Sequence, residues 1–415
     1  MLDKKNIAII FPAWTNCGTY RVVVGQIAAY SEMGANIFPI ALSMKPNATP
    51  ENKSKWRDFL ASAHEIRDVC HLGGPPLAPL LSYDYLLNAL WPYFHGNHAK
   101  IRVWLTGHAQ LPQEIETQTF DLIHCNHFFS MPIAKRLAKE KAPILLETHD
   151  IQARQFEIMN RLNWCLRPKV TYDELLADEL AQLEQASALI HLNAEEKRLF
   201  ESLLPGKQHI LLYPTVNQIK PTSHGDEIIM IAANNPPNLE SICWLLDKVA
   251  PKTKNFSVSI YGDANKGMQK SFPQLFEKFK FNFKGEIRRL EEAYQNAKTI
   301  ILPAISGHGL SIKTVEALST GLPLIATSIA FRGMDLPTQN LKGVVIADTA
   351  EEFAKALDEN SLTNTPSDNK ITKPHETVEF YNKTFSPARY KENLKKIVST
   401  YISVSYTHLT LPTIL

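Results

Sequence analysis

Hydrophobic runs and amphipathic stretches alternate along most of the chain. In the first half, short runs rich in Ile, Leu and Val predict strands at 7–11, 35–41, 122–126, 144–148, 188–192 and 209–213. Segments with a helical period lie between several of them, at 20–33, 131–141 and 172–185. Nearly continuous apolar strands are typical of parallel sheets that are covered by helices on both faces. The first half therefore predicts a doubly wound α/β domain.

The same alternation restarts after a short polar stretch at 222–225. Strands are predicted at 228–232, 257–261, 280–283, 299–302, 324–327 and 344–346, with helices near 238–248, 290–296, 312–319 and 350–359. We therefore predict two tandem Rossmann-like domains facing a cleft, at 1–220 and 226–380, followed by a C-terminal helix at 381–403. Ligands of such open sheets bind beyond the carboxyl ends of the strands.

The last residues, 404–415, have no relation to the amphipathic helix before them. They look like the translation of a sequencing adapter, so we treat them as a non-native tail and expect the natural C-terminus to differ. The N-terminus lacks the basic, apolar and small-residue succession of a secretory signal, which favours a cytoplasmic protein.

Composition excludes several classes of protein. The 415 residues are 44% hydrophobic and 21% charged, which is too apolar for a disordered chain. Forty-four basic and 42 acidic residues give a net charge of +2, so no overall field attracts nucleic acid, and no nucleic-acid partner is expected. The five cysteines are scattered without a C-x-x-C pair, which argues against a disulfide framework or a zinc site and indicates a reducing compartment.

The longest apolar stretch, 77–94, is interrupted by Pro79, Asp84, Asn88 and Pro92. It is too broken to offer a bilayer about 20 uninterrupted apolar residues. Its aromatic and aliphatic part, 80–94, is a candidate for docking a lipid-linked acceptor or for peripheral contact with the inner face of a membrane. Burial in the first domain is favoured over both, because apolar stretches usually belong to cores.

The most informative window is 302–327. A buried strand ends at Pro303, a turn with Gly307 and Gly309 follows, and a helix begins close to Ser311. The amides at a helix N-terminus carry about half a positive charge and hold phosphates without a metal. Lys313 and Glu316, three residues apart, share one helix face.

A lysine ammonium suits a phosphate, and a carboxylate can accept hydrogen bonds from both hydroxyls of a ribose. The window therefore predicts a site for a nucleoside diphosphate. A surface ion pair between Lys313 and Glu316 is the plain alternative.

With the Gly-x-Gly turn before it and the Ala317-Leu-x-x-Gly-x-Pro ending after it, this window resembles the donor-binding signature of GT-B glycosyltransferases, specifically the retaining, family-four-like group. The stretch 236–244, Tyr261-Gly262 and 283–285 are similar to further parts of that domain. The resemblance covers most of 226–335 and is looser over the first half, where strand endings at 121–127, 147–150, 188–193 and 213–217 follow the family pattern.

The resemblance implies transfer of a sugar from a nucleotide-sugar donor to a glycan or lipid-linked acceptor, in the synthesis of a cell-surface glycan or glycoconjugate. The donor would bind the second domain and the acceptor mainly the first. Lys313 would neutralise the departing diphosphate and Glu316 would hold the ribose, while Gly307, His308, Gly309, Leu310 and Ser311 would contact the donor. The nucleotide sugar is a substrate, and neither a metal nor another cofactor is expected, since a lysine and a helix start stabilise the leaving group.

Two departures from the family pattern concern the donor. Many relatives have a glutamate eight positions before the ribose glutamate, where this chain has His308. Donor-sugar selection and the stereochemical outcome therefore stay open. The usual basic residue after the first strand of the second domain is also absent, and either Arg288 or Arg332 could replace it as a phosphate ligand or be a surface charge.

In the first domain, Gly18 lies in the turn after the first strand, where it can let the backbone approach the cleft or simply form a plain strand-to-helix turn. The family often has a histidine near the reacting sugar at the end of the strand predicted at 122–126, and His127 is the choice here. His124, pointing into the sheet, is the alternative. Asp150 closes the next strand and would orient substrate hydroxyls or cap the following helix. His127, Lys313 and Asp150 are thus the predicted catalytic residues.

Three other functions were weighed. A nicotinamide-dependent oxidoreductase is disfavoured, because no Gly-x-Gly-x-x-Gly follows the first strand of either domain. A catalytically silent subunit that binds a nucleotide sugar, and a sugar-nucleotide epimerase on the same fold, remain alternatives to a transferase.

Overall fold

The chain divides into two compact units in a computed structural model. The first comprises 1–215 together with 390–415, and the second comprises 216–389. The structure describes residues 2–14, 18–43, 66, 68–161, 170–221, 225–286, 290–307, 309–334, 341–362 and 376–407.

The first unit is built on a parallel sheet of seven strands in the order β3-β2-β1-β4-β5-β6-β7. The strands are β1 (Asn6–Pro12), β2 (Asn36–Leu42), β3 (Cys70–Leu72), β4 (Leu122–Asn126), β5 (Ile144–Glu147), β6 (Ala188–His191) and β7 (His209–Leu211). The chain starts at β1 and winds outwards in both directions, so the order reverses between β1 and β4. In such sheets the point of reversal is where ligands bind.

Apolar side chains of the strands project from both faces of this sheet, so helices cover both faces. One core contains Ile10, Ile123 and Leu146, and the opposite core contains Ile9 and Leu145. The longer helices are Gly18–Glu32, His98–Gly107, Met131–Ala138, Gln152–Arg161, Tyr172–Leu183 and Ala194–Leu203. Glu174 and Thr171 form a capping box that fixes the start of the helix Tyr172–Leu183.

The C-terminal helix Pro387–Thr407 completes the second of these cores. Tyr390, Leu394, Val398 and Ile402, spaced at a helical period, pack among the residues of β1 and β5. The helix extends four residues into the segment that we expected to be a non-native tail, and 408–415 lie outside the described residues.

The second unit repeats the architecture with six parallel strands in the order β10-β9-β8-β11-β12-β13. They are β8 (Glu227–Ile231), β9 (Val258–Tyr261), β10 (Phe283–Gly285), β11 (Ala297–Leu302), β12 (Leu324–Ala326) and β13 (Val344–Ile346). The helices of eight or more residues are Pro236–Trp244, Ala264–Ser271, Ile312–Thr320, Ala350–Leu362 and Glu376–Thr384. The predicted α/β class with two doubly wound domains is confirmed.

Some elements differ from the prediction. Strand β3 and the helices Ala264–Ser271 and Pro273–Phe279 were not predicted. The strand predicted at 280–283 begins only at Phe283, because residues 280–282 form a 3-10 turn.

The apolar segment at 77–94 is mostly exposed, so the prediction that it is buried in the first domain is wrong. It forms the short helical elements Leu77–Leu80, Tyr83–Tyr85, Leu86–Leu90 and Trp91–Phe94. Seven of its large side chains are exposed, at 41% to 88%: Leu77, Leu81, Tyr83, Leu86, Leu87, Trp91 and Phe94. The segment is attached through a small cluster around Ala89 and Trp104, which leaves its other faces uncovered. Within the part of the chain that the structure describes, no helix is long and apolar enough to cross a membrane.

Candidate functional site

The turn between β11 and the helix Ile312–Thr320 has the backbone that its two glycines predict. Gly307 has φ +135° and Gly309 has φ +65°, conformations that side chains with a Cβ rarely adopt. Ser311 precedes the helix, and its hydroxyl makes no capping hydrogen bond. The helix dipole favours negative charge at this helix start. Leu310 lies partly buried in the same turn.

Lys313 is held in the first turn of that helix by an amide from another helix. Its Nζ donates to Asn238 Oδ1 at 2.8 Å, and Asn238 Nδ2 donates to the carbonyl of Ala233 at 2.8 Å. The amide group is thus fixed from both sides. The pKa of Lys313 is lowered to about 8, mainly by burial, with Glu316 opposing the shift and Arg332 adding to it.

Arg332 supplies a second cation at the turn. A Cβ built on Gly307 would lie 2.8 Å from Cζ and Nη2 of the Arg332 guanidinium, so the guanidinium approaches the backbone of the turn closely. Arg332 Nη1 also donates to the carbonyl of Ile329 at 3.1 Å. The glycine turn, a lysine, an arginine and a helix start therefore converge within one unit.

Glu316, one turn after Lys313, is only 4% exposed. Lys313 is itself partly buried and bonded to Asn238. The alternative of an ordinary surface ion pair between Lys313 and Glu316 therefore does not fit the structure. Of the other predicted donor ligands, Arg288 and His308 lie outside the described residues.

In the first unit, His127 follows β4 with φ +65° and ψ +145°, a sparsely populated conformation for a residue other than glycine. Such a backbone costs about 1–3 kcal/mol and persists where the surroundings impose it. The ring is 2% exposed, and its Nε2 lies 3.0 Å from Thr19 Oγ1. Its Nδ1 is buried and has no hydrogen-bond partner among the described residues.

His149 follows β5 in the same way, with φ +62°. Its ring stacks on that of His127, with centroids 4.1 Å apart and planes at 8°, and its Nε2 lies 2.9 Å from Asn126 Oδ1. Burial lowers the pKa of His149 to about 4 and that of His127 well below its usual value. Both imidazoles are therefore neutral at pH 7.

His124 belongs to a buried network inside the sheet. Its Nε2 lies 3.1 Å from Glu147 Oε2, and its Nδ1 lies 3.0 Å from the Tyr30 hydroxyl. Gln26 Nε2 donates to the same Glu147 oxygen at 2.7 Å. His124 and Glu147 are fully buried, so this network orders the core, in keeping with the alternative that His124 points into the sheet.

Asp150 lies among carboxyl groups at the start of the helix Gln152–Arg161. Burial, together with the charge of Asp150, raises the pKa of Glu179 to about 7 and that of Glu196 to about 8. Glu179 accepts the backbone N–H of Gln152 at 3.2 Å and of Ala153 at 2.9 Å. Glu179 thus caps this helix, the role considered above for Asp150.

Gly18 begins the helix Gly18–Glu32, and a Cβ on it would meet nothing within 4 Å. The residue that touches the histidine pair is its neighbour Thr19, which the sequence did not single out. The sequence pattern also did not indicate Asn238, which contacts Lys313, or Arg102 in the first unit. No motif marks them, because each acts through a contact between segments far apart in the chain.

No group of three or more His, Cys, Asp or Glu side chains is arranged to hold a metal ion within the described ranges.

Comparison with known proteins agrees with this geometry. Residues 225–360 match the family model "Glycosyl transferases group 1". A Klebsiella pneumoniae protein described as "Uncharacterized 44.6 kDa protein in cps region" is 26% identical over 131 residues, which are 29% of this chain and 33% of that protein. The chain thus matches about a third of the length of that curated relative.

Two solved structures extend the likeness to the whole chain. Anabaena HepE in complex with UDP superimposes with a TM-score of 0.62 at 15% identity, covering 95% of this chain and 100% of HepE. A glycosyltransferase from Rickettsia africae gives 0.60 at 14% identity, covering 96% and 99%. At such identities the likeness shows the fold alone. The chain has the GT-B fold, and its residues 225–360 match a glycosyltransferase group 1 model, in keeping with the resemblance of the motif at 302–327.

Proposed function

We propose that this protein transfers a glycosyl group from a nucleotide sugar to a glycan or lipid-linked acceptor, without a metal ion and with retention of anomeric configuration. The observation that carries the proposal is the convergence of Lys313, Arg332 and a helix start on the turn at Gly307. Three sources of positive charge at one turn suit a diphosphate better than a single phosphate or a neutral sugar.

The chemistry needs such a site. When the bond between the anomeric carbon and the diphosphate oxygen breaks, positive charge develops on the sugar and negative charge on the nucleoside diphosphate. Lys313 and Arg332 neutralise the leaving group, and the helix dipole adds to them. Glu316 accepts hydrogen bonds from the ribose hydroxyls. A divalent cation is unnecessary where two side-chain cations already compensate the diphosphate.

UDP is the first donor nucleotide to test. HepE was solved with UDP, and also with UDP-glucose, on the same fold. The Klebsiella relative from a cps region supports a role in cell-surface glycan synthesis. The exposed apolar segment at 77–94 supports a lipid-linked acceptor and peripheral contact with the inner face of a membrane, because Trp and Tyr side chains suit the interface between lipid and water.

On the acceptor side, His127 and His149 are neutral rings at the carboxyl ends of β4 and β5. A neutral imidazole donates one hydrogen bond and accepts one, so it orients a sugar hydroxyl without adding charge. Gly18 leaves open space beside Thr19, which contacts His127. These residues lie near the strand reversal, where the fold binds its ligands.

The test is a panel of UDP-, GDP- and ADP-sugars, with donor consumption measured by mass spectrometry in the presence of EDTA. Wild type is expected to consume one donor class, Lys313→Ala to lose at least 99% of the rate, and Glu316→Gln to raise the donor KM. Lys355→Ala, on an exposed lysine of the same unit, is the control and should match wild type. Donor binding without consumption would indicate a silent subunit, and full activity of Lys313→Ala would refute the phosphate assignment.

A further inference from the structure

Arg102 occupies an unusual position in the first unit. It lies on the helix His98–Gly107, and its guanidinium carbon is 5.9 Å from the ring centroid of Trp14, 5.4 Å from that of Phe129 and 5.0 Å from that of Phe156. Three aromatic side chains thus surround one cation. The residue as a whole is partly exposed.

The charge of Arg102 has no ion pair or side-chain hydrogen bond within the part of the chain that the structure describes. Burial lowers its pKa to about 10, yet it stays protonated at neutral pH. Cation–π contacts with the three rings offset part of the cost of removing the cation from water. Among the described residues, none accepts from the five N–H donors of the guanidinium, so they can bind an added ligand.

Lys100, two residues earlier on the same helix, shows the contrast. Its side chain is about half exposed, and its Nζ lies 4.0 Å from Asp178 Oδ1. A solvated lysine with an acidic neighbour is an ordinary surface charge. Arg102 differs in having aromatic walls and, among the residues described in this unit, no acidic partner.

The position of Arg102 connects it to the histidine pair. Two of the rings that flank its guanidinium also contact the His127 ring, Trp14 at 5.2 Å and Phe129 at 5.1 Å between centroids. The charge of Arg102 also lowers the pKa of His127, which shows that the two groups are close. Both therefore belong to one site at the end of β4.

We propose that Arg102 binds an oxyanion of the acceptor, a phosphate or a carboxylate, beside His127. The planar guanidinium donates two parallel hydrogen bonds to such a group, and the aromatic walls keep it oriented and exclude water. The inference rests on the proposed function in one respect, namely that the ligand of this unit is the acceptor. An anionic acceptor is then preferred over its neutral counterpart.

The experiment is isothermal titration of the full chain, with UDP present to fill the donor site. The probes are inorganic phosphate, glucuronate and, as the neutral analogue, glucose. Wild type is expected to bind phosphate or glucuronate at least tenfold more tightly than glucose. Arg102→Gln should lose at least 90% of that affinity, Arg102→Lys should recover part of it, and Lys100→Gln should match wild type. Vesicles with and without phosphatidic acid show whether a lipid-borne phosphate binds better than the free ion.

Two outcomes would overturn the assignment: equal anion affinity in wild type and Arg102→Gln, or no anion affinity above that for glucose in wild type. Thermal unfolding and UDP affinity of Arg102→Gln, both expected to equal those of wild type, control for misfolding, with Arg102→Lys as the second variant. If UDP itself fails to bind wild type, the proposed function is at fault, whereas the titration without UDP still tests Arg102.

Discussion

Lys313→Met is expected to stabilise the second unit while abolishing its affinity for UDP. The pKa of Lys313 falls from the usual 10.5 to about 8, mainly through burial. Since a tenfold change in proton affinity is 1.36 kcal/mol, the charged lysine costs the folded state about 3 kcal/mol at pH 7. Methionine keeps the aliphatic length but loses the bond to Asn238, worth about 1 kcal/mol. The net gain is about 2 kcal/mol, or about 4–8 °C in the melting temperature of a unit of this size.

The pH dependence follows from the same shift. Below pH 8 the lysine is charged in both the folded and unfolded states, so the full cost is present. Between pH 8 and 10.5 the folded protein releases the proton while the unfolded chain keeps it, so the stability of wild type rises towards that of the variant. UDP affinity of wild type is expected to fall about tenfold for each pH unit above about 8, because the diphosphate binds the ammonium form.

Differential scanning fluorimetry and titration calorimetry, with and without UDP between pH 6.5 and 10, measure both effects. Lys355→Met, at an exposed lysine 76% accessible in the same unit, should change neither stability nor UDP affinity. The reasoning is wrong if Lys313→Met melts at or below the wild-type temperature and still binds UDP as wild type does.

Three further predictions concern the histidine pair of the first unit and the glycine turn of the second. Thr19→Val removes the hydrogen-bond partner of His127 Nε2, so we expect kcat to fall about tenfold while UDP affinity is unchanged. Steady-state kinetics measures kcat and calorimetry measures UDP affinity, and an unchanged kcat would contradict the prediction. The pKa of His127 lies well below its usual value, so ionisation of this residue should not affect kcat near pH 6.5. The pH–rate profiles of wild type and His127→Asn should therefore have the same shape in this range, and a step near pH 6.5 in wild type alone would contradict the prediction. Gly307→Ala places a Cβ 2.8 Å from the Arg332 guanidinium at φ +135°, so this variant should bind UDP at least tenfold more weakly than wild type. The control is Gly206→Ala, where a Cβ meets no described atom within 4 Å, and it should bind UDP as wild type does. Equal UDP affinities of the two variants would contradict a role of the Gly307 turn in UDP binding.

The sequence predicted most of the fold, because buried parallel strands leave long apolar runs that few other structures produce. β4 was predicted to the residue. β3 escaped because Cys70, His71 and Leu72 make a strand too short to show a pattern. The apolar segment at 77–94 shows the limit of composition, since the same residues suit a core or an uncovered surface, and only the position of neighbouring elements decides between them.

The candidate site residues also differ in how far the sequence could predict their contacts. Lys313 and Glu316 lie in one helix, so their spacing alone places them together. Thr19 and His127 are 108 residues apart and meet because β1 and β4 are neighbours in the sheet. Arg102 lies in a helix whose pattern is that of any amphipathic helix, and the rings around it come from three separate segments. Contacts of this kind depend on topology, which a local pattern does not contain.

The return of the C-terminal helix to the first unit affects how the protein is made. When a ribosome has translated the seven strands of that unit, one face of its sheet is not yet covered by the C-terminal helix. The residues of that helix that later pack there are Tyr390, Leu394, Val398 and Ile402. This apolar surface stays exposed, and prone to aggregation, while some 170 further residues of the second unit are synthesised. A premature stop codon in the second unit therefore leaves part of the core of the first unit uncovered as well, so we expect such truncated products to be cleared by proteolysis.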